Sequence, residues 1–201
     1  MLKPFSAALL VLGTTAAWAV DEPPQPAIVN PEPAPVAAPA AFAKVGFELS
    51  FAYVMPNDRR FTGSAVGYYL FVPFGNDVEL GLYRQEGFYH GRDGDESIFE
   101  RGHFDAVRAT YRFFDDEVQC AKLIAAAGYS QFTTHLPVGA FAFDLGVEYN
   151  PWKINVRPAS SEFGVSLVYR YCRFGDVDVL GGRPVNDAGG LLVGVHGIVT
   201  F

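Results

Sequence analysis

The chain has 201 residues, of which 50% are hydrophobic and only 18% charged, with a net charge of −7 and a pI near 5.0. That length suits one domain. An aromatic content of 15% excludes disorder over most of the chain. The negative charge has the wrong sign for nucleic acid, and two cysteines cannot build a disulfide scaffold or a four-cysteine zinc site. A mean hydropathy of +0.14 suggests a membrane protein. Yet no apolar run after the first twenty residues reaches the roughly 18 residues that mark a membrane helix.

The first segment reads as an export signal. Met1 and Lys3 open a short positive region, Phe5 to Gly13 is apolar, and Ala17-Trp18-Ala19 fits a small-x-small cleavage site. Residues 1–19 are therefore expected to be a signal peptide. Residues 20–41 are expected to be a linker, with Pro23, Pro24, Pro26, Pro31, Pro33, Pro35 and Pro39 among alanines and acids. Proline fixes φ and removes a donor, so such a stretch is extended and semi-rigid. It offers a possible contact with a periplasmic partner or the cell wall.

From residue 42 to 201 the hydrophobic period is two, which is the period of β-strands. Val45, Phe47, Leu49, Phe51 and Tyr53 alternate with polar or small residues. Val66, Tyr68, Leu70, Val72 and Phe74 form a second set, followed by a tight turn at Gly75-Asn76. Val78, Leu80 and Leu82 oppose Glu79, Gly81 and Tyr83; Val107, Ala109, Tyr111 and Phe113 oppose Arg108, Thr110 and Arg112. Leu123, Ala125, Ala127 and Tyr129 give the better outer face of a fifth strand between Cys120 and Phe132. Phe141 to Tyr149, Phe163 to Tyr171 and Leu191 to Phe201 supply three more.

Eight strands of about ten residues match tilted strands crossing a bilayer. A soluble sandwich or lipocalin-like barrel would also alternate, but two features favour the membrane version. The minority face mixes glycine, alanine and serine with ions of both signs, as a narrow filled lumen requires. The connections also alternate in length. Gly75-Asn76 and Phe114–Gln119 are short, whereas Met55–Thr62, Glu86–Gly102 and Gly175–Ala188 are read as longer loops. Tyr53, Tyr111, Tyr129, Tyr149 and Tyr169 near strand ends suit interfacial aromatic girdles. Asn150 to Ser161 is long for a turn, and the alternation of Trp152, Ile154 and Val156 suggests that the strands run on past the membrane there.

The chain ends in Phe201, with Val199, Val195 and Val193 at every second position before it and Gly197 interrupting. This resembles the terminal assembly signal of bacterial outer-membrane barrels. Gly146-Val147-Glu148-Tyr149, Val168-Tyr169-Arg170-Tyr171 and Phe174-Gly175-Asp176 resemble the last third of OmpA/OmpX-like eight-stranded barrels, and Tyr111-Arg112-Phe113 resembles another of their strands. The resemblance covers residues 43–201. It implies an all-β, eight-stranded, antiparallel up-and-down barrel in the outer membrane, met by the barrel assembly machinery and by outer-membrane lipid and lipopolysaccharide. A monomer is expected.

Strand parity assigns Lys44, Arg108, Arg112, Lys122 and Arg170 to the lumen, with Glu48, Glu79, Asp144, Glu148 and His196. An eight-stranded barrel has just enough interior for its own side chains, and isolated buried ions are costly. The expectation is a pairing network that fills the lumen, with a structural, envelope-integrity or surface-interaction role. A small porin-like channel, gated by an arginine such as Arg112 exchanging carboxylates, is the alternative. A lipid A-modifying enzyme is the third reading. His90, His103 and His135 fall in loops or at their ends, and only His196 is on a strand, with Ser50 or Ser166 as conceivable neighbours. No cofactor is expected. Asp93-Gly94-Asp95-Glu96 offers oxygen ligands for a divalent cation but without EF-hand spacing. Cys120 and Cys172 are expected at opposite ends of the barrel, too far apart to bridge.

Overall fold

The computed structural model describes residues 44–93, 96–133, 138–156, 158–177 and 184–201; side chains at 93 and 96 are outside that set. The expected signal peptide, the linker, His135 and the core of the Asp93–Glu96 acidic motif lie outside the described residues.

Eight long strands close into one antiparallel barrel. They are β1 (Gly46–Pro56), β2 (Phe61–Phe74), β3 (Val78–Asp93), β4 (Glu96–Asp115), β5 (Cys120–Phe132), β6 (Gly139–Val156), β7 (Ala159–Val177) and β9 (Gly190–Thr200). Each pairs with its sequence neighbour, and β9 pairs with both β7 and β1 to close the ring. A three-residue strand, β8 (Val185–Asp187), lies against the end of β7. Closure removes the open edges that would otherwise invite aggregation.

The period-two pattern sorts the side chains as an inverted globule. Phe51, Leu70, Leu82, Val107, Phe143, Leu145, Leu167 and Val195 face outward and are exposed, whereas Glu48, Arg108, Lys122, Glu148 and Arg170 face inward and are buried. Aromatic side chains mark both ends of the apolar wall. Tyr53, Tyr68, Tyr129, Phe141 and Tyr169 lie toward one rim, and Phe74, Tyr111, Phe113, Tyr149, Trp152 and Phe201 toward the other. Among the described residues no helix is long and apolar enough to cross a membrane. An apolar exterior around a charged interior is the arrangement of a barrel that crosses a bilayer by its strands.

The turns at one end are tight. Gly75, at φ +68°, supplies the left-handed residue between β2 and β3. Between β4 and β5, Asp116 accepts hydrogen bonds from the backbone N–H groups of Val118 and Gln119 at 2.8 and 2.7 Å.

Several boundaries differ from the sequence expectation. The barrel strands are 11 to 20 residues long rather than about ten. Glu86–Gly102 is not a loop: β3 and β4 continue as a hairpin to Asp93 and Glu96. Its outward positions (Phe88, His90, Arg92, Phe99, Arg101, His103) alternate without being uniformly apolar, so the usual strand signal is weak. His90 and His103 accordingly sit on strands. Likewise β1 runs to Pro56, β2 starts at Phe61, and β7 and β8 take up part of Gly175–Ala188. The Trp152–Val156 alternation is strand, paired with Ala159–Phe163 across a register shift after Tyr149.

Candidate functional site

Inward parity brings ionisable groups from seven strands into one buried cluster, and β2 adds Tyr69. Arg108 on β4 is its hub. Its Nη1 and Nη2 donate to Glu48 on β1 and Glu148 on β6, each at 3.0 Å. Its guanidinium also lies 4.6 Å from the ring centre of Tyr69 and 5.3 Å from that of Tyr83, so rings cover it beside the two paired Nη groups. The Tyr69 hydroxyl donates to the Arg108 carbonyl at 3.0 Å.

Lys122 on β5 is 1% exposed and holds three carboxylates, Glu162 at 2.8 Å, Glu79 at 3.0 Å and Glu148 at 3.6 Å. Arg112 holds Glu162 at 2.8 Å, Asp115 at 3.2 Å and Glu79 at 3.3 Å. Asn150 ties the acids together, its Nδ2 donating to Glu148 at 2.9 Å and Glu162 at 3.1 Å. The Nε2 of His196 lies 2.5 Å from Asn150 Oδ1 and 3.4 Å from Glu148 Oε1. Thr110 donates to Glu79 at 2.6 Å. A second pair is separate: Arg170 meets Asp144 through two 2.7 Å bonds, with its guanidinium 4.0 Å from the Phe104 ring centre. Such bidentate, ring-stacked geometry is what makes a buried pair tolerable.

Nine of the ten residues assigned to the lumen by parity are inward-facing. Lys44 is the correction: it precedes β1 and is exposed, because the inward alternation begins at Gly46 and not before it. Parity reasoning missed Glu162 and Asn150, which are buried at the heart of the cluster. Both sit beside the register shift between Tyr149 and Trp152, in or next to a stretch whose length disguised it as a turn. With Lys44 out and Glu162 in, the two paired clusters set Arg108, Arg112, Lys122 and Arg170 against Glu48, Glu79, Asp144, Glu148 and Glu162, and Glu100 on β4 is a further buried inward carboxylate.

The rest of the lumen is aromatic and aliphatic. Tyr69, Phe71, Tyr83 and Phe104 pack in one buried group with Ile198. Val54, Tyr89, Phe132 and Leu192 form another. Two cavities inside the wall are each about 30 Å³, one under Tyr89, Phe132 and Phe174 and one among Glu48, Arg108 and Asp144. Spaces of that size hold a water or two, not a passage.

The chemistry available to His196 is narrow. Its ring is fully buried and meets Asn150 and Glu148 rather than a serine hydroxyl. Glu48, Glu148 and His196 present donor atoms within 4.8 Å of one another. However, Arg108 sits against both carboxylates and Lys122 faces Glu148, so a divalent cation would meet fixed positive charges. Cys120 and Cys172 are free and buried. Cys120 pairs opposite Asn150 and Cys172 opposite Ala142 on β6. Eight residues along one strand is roughly 26 Å, well beyond disulfide reach. At the C-terminal strand, Val193, Val195 and Phe201 are on the outer wall, and Val199 is partly covered.

No protein-family model matches the chain, and no curated protein matches it. Solved structures do. Neisserial surface protein A superposes with a TM-score of 0.50 at 14% identity, over 78% of this chain and 94% of that one. The outer membrane enzyme PagL gives 0.44 at 14% identity, over 75% and 97%. The N-terminal β-barrel domain of Pseudomonas aeruginosa OprF gives 0.42 at 13% identity, over 79% and 98%. At these identities the likeness is one of fold. Closed by β9 on β1, apolar outside and ion-paired inside, the chain is an eight-stranded antiparallel β-barrel with the fold of OmpA/OmpX-like outer-membrane proteins.

Proposed function

We propose that the protein is a monomeric outer-membrane barrel with a structural or surface-interaction role in the cell envelope, and that it is neither a pore nor an enzyme. The observation that carries this reading is the Arg108–Glu48–Glu148–Lys122 cluster, which ties β1, β4, β5 and β6 across the lumen. A conducting path would have to break several buried charge pairs at once, and uncompensated buried charges are strongly unfavourable. Surface interaction is then left to the rim, where β3 and β4 project as a long hairpin. In this reading β9, with Val193 and Val195 on the outer wall, serves recognition by the barrel assembly machinery, and the proline-rich segment serves contact with the cell wall or a periplasmic partner.

Planar-bilayer recording of the purified chain, beside envelope-integrity assays on a deletion strain, tests this. The expected result is no current above leak together with increased sensitivity to detergent in the deletion strain. Discrete single-channel steps would overturn it in favour of the channel reading. One observation supports that alternative: Arg112, at the edge of the cluster, already contacts three carboxylates and so has partners to exchange. An enzyme acting on lipid A would need His196 to reach lipid, and its ring is fully buried in the lumen. An unchanged lipid A profile in a His196→Ala strain is the corresponding expectation.

A further inference from the structure

One corner of the lumen cluster holds more than ion pairs. Lys122 on β5 and Asn150 on β6 share the inward face of two paired strands, with Lys122 opposite Glu148 and Cys120 opposite Asn150. Both side chains are buried, Asn150 completely. Two carboxylate oxygens lie between their nitrogens. Glu162 Oε2 is 2.8 Å from Lys122 Nζ and 3.1 Å from Asn150 Nδ2. Glu148 Oε1 is 3.6 Å from Nζ and 2.9 Å from Nδ2. The other oxygen of Glu162, Oε1, is held by Arg112 at 2.8 Å, which leaves Oε2 to the two nitrogens.

These contacts fix the amide. A carboxylate only accepts hydrogen bonds, so the Asn150 NH2 group faces the acids and Oδ1 faces His196. His196 Nε2, 2.5 Å from Oδ1, therefore carries a hydrogen and donates it. Its Nδ1 is then the bare nitrogen, in keeping with its lack of a hydrogen-bond partner among the described residues. An amide held in this way is prepared at both ends. Its carbonyl oxygen has a donor where negative charge develops on nucleophilic attack. Its nitrogen touches the same carboxylate oxygen that touches a primary amine.

We propose that this corner forms an intramolecular isopeptide bond between Lys122 and Asn150, with Glu162 as the proton relay. The inference goes beyond the structural role above, which needs ion pairs alone. Glu162 takes a proton from the Lys122 ammonium through Oε2. The freed amine attacks Asn150 Cγ, and the Nε2–H of His196 holds the oxygen as it gains charge. Glu162 hands its proton to Nδ2 and takes a second one from Nζ as the Nζ–Cγ bond forms. The Cγ–Nδ2 bond breaks and ammonia leaves. Glu162 ends protonated, so the lost lysine charge is matched by a lost carboxylate charge and none is left uncompensated in the lumen. Burial keeps water from competing for Cγ. The product closes the β5–β6 hairpin covalently.

Intact-mass spectrometry of the full chain, before and after folding into detergent micelles, tests it. The unfolded chain is expected at its sequence mass. The folded chain should lose the mass of one ammonia, with one ammonia released per chain. Proteolysis should then recover Lys122 and Asn150 in one branched peptide. Folded Lys122→Met and Asn150→Ala chains should keep their full mass, and Glu162→Gln should slow the loss by about a hundredfold. The heat-dependent gel shift of a folded barrel shows which variants fold, and the wild-type result stands without them. A folded wild-type barrel that keeps its full mass would overturn the proposal. So would ammonia release with a gain in mass, the mark of simple deamidation. A bond cleaved by hydroxylamine would also overturn it, since that marks a thioester to Cys120, whose Sγ is 3.4 Å from Asn150 Nδ2.

Discussion

At the residue scale the decisive side chain is Arg108. It neutralises two carboxylates from different strands and stacks on two rings. Arg108→Met removes the charge while keeping much of the volume, so Glu48 and Glu148 lose their shared counter-ion in a buried site. The expected loss is about 3–5 kcal/mol, measured as a shift in urea unfolding from lipid vesicles. A loss under about 1 kcal/mol, the size of an exposed ion pair, would show that the cluster is not a structural anchor. At the turn end, Asp116 is a second residue with a definite consequence. Hydrogen bonds from the Val118 and Gln119 backbone N–H groups hold its carboxyl below the usual aspartate range. A depressed folded-state pKa contributes stability above the unfolded-state value, and that stability disappears as pH falls through the folded value. Protection of the Val118 and Gln119 amides, taken relative to intrinsic exchange at each pH, should therefore fall on acidification below the ordinary aspartate range. Asp116→Asn should abolish that step, and a step that persists in the variant would assign it to another group.

At the element scale, close strand approach sets the limits. A Cβ on Gly81 would fall 1.9 Å from the carbonyl oxygen of Leu70 on the paired strand β2. Gly81→Val forces β2 and β3 apart on the crowded lumen side, and an overpacked site of this kind costs about 1–3 kcal/mol. The heat-dependent gel shift should show a reduced folded fraction for Gly81→Val and a near-normal one for Leu82→Ala, whose native side chain is 68% exposed on the wall. Equal folding of the two variants would remove the steric argument. The hairpin of β3 and β4 belongs to the same scale. It continues past the girdle because Phe88 stacks on Phe99 and because its inner positions, Tyr89 and Glu100, remain buried.

At the scale of the whole molecule the two cysteines report on topology. Both are buried, which shields them from reagents in solution. Roughly 26 Å of β6 separates their register partners. Thiol labelling of the folded chain should be slow at both positions and fast after denaturation, and non-reducing gels should show no change on reduction. A shift on reduction would contradict the strand register from β5 to β7.

Sequence and structure divide the determination of this protein along a physical line. Alternation such as Phe141, Phe143, Leu145 and Val147 against Asp144, Gly146 and Glu148 is a local property, so the sequence by itself determined the strands, their two faces and most of the lumen residues. It could also place Cys120 and Cys172 apart by simple counting of strand ends. Three things depended on pairing between distant segments, and only the tertiary structure decided them. The length of β3 and β4 follows from cross-strand contacts among residues that are not uniformly apolar. The membership of Glu162 and Asn150, and the exclusion of Lys44, follow from where β1 begins and from a register shift between β6 and β7. The partners of Arg108 lie 60 and 40 residues away in the chain. Which charge neutralises which is a consequence of barrel closure, because in a ring of tilted strands the neighbours across the lumen are set by stagger and not by sequence order.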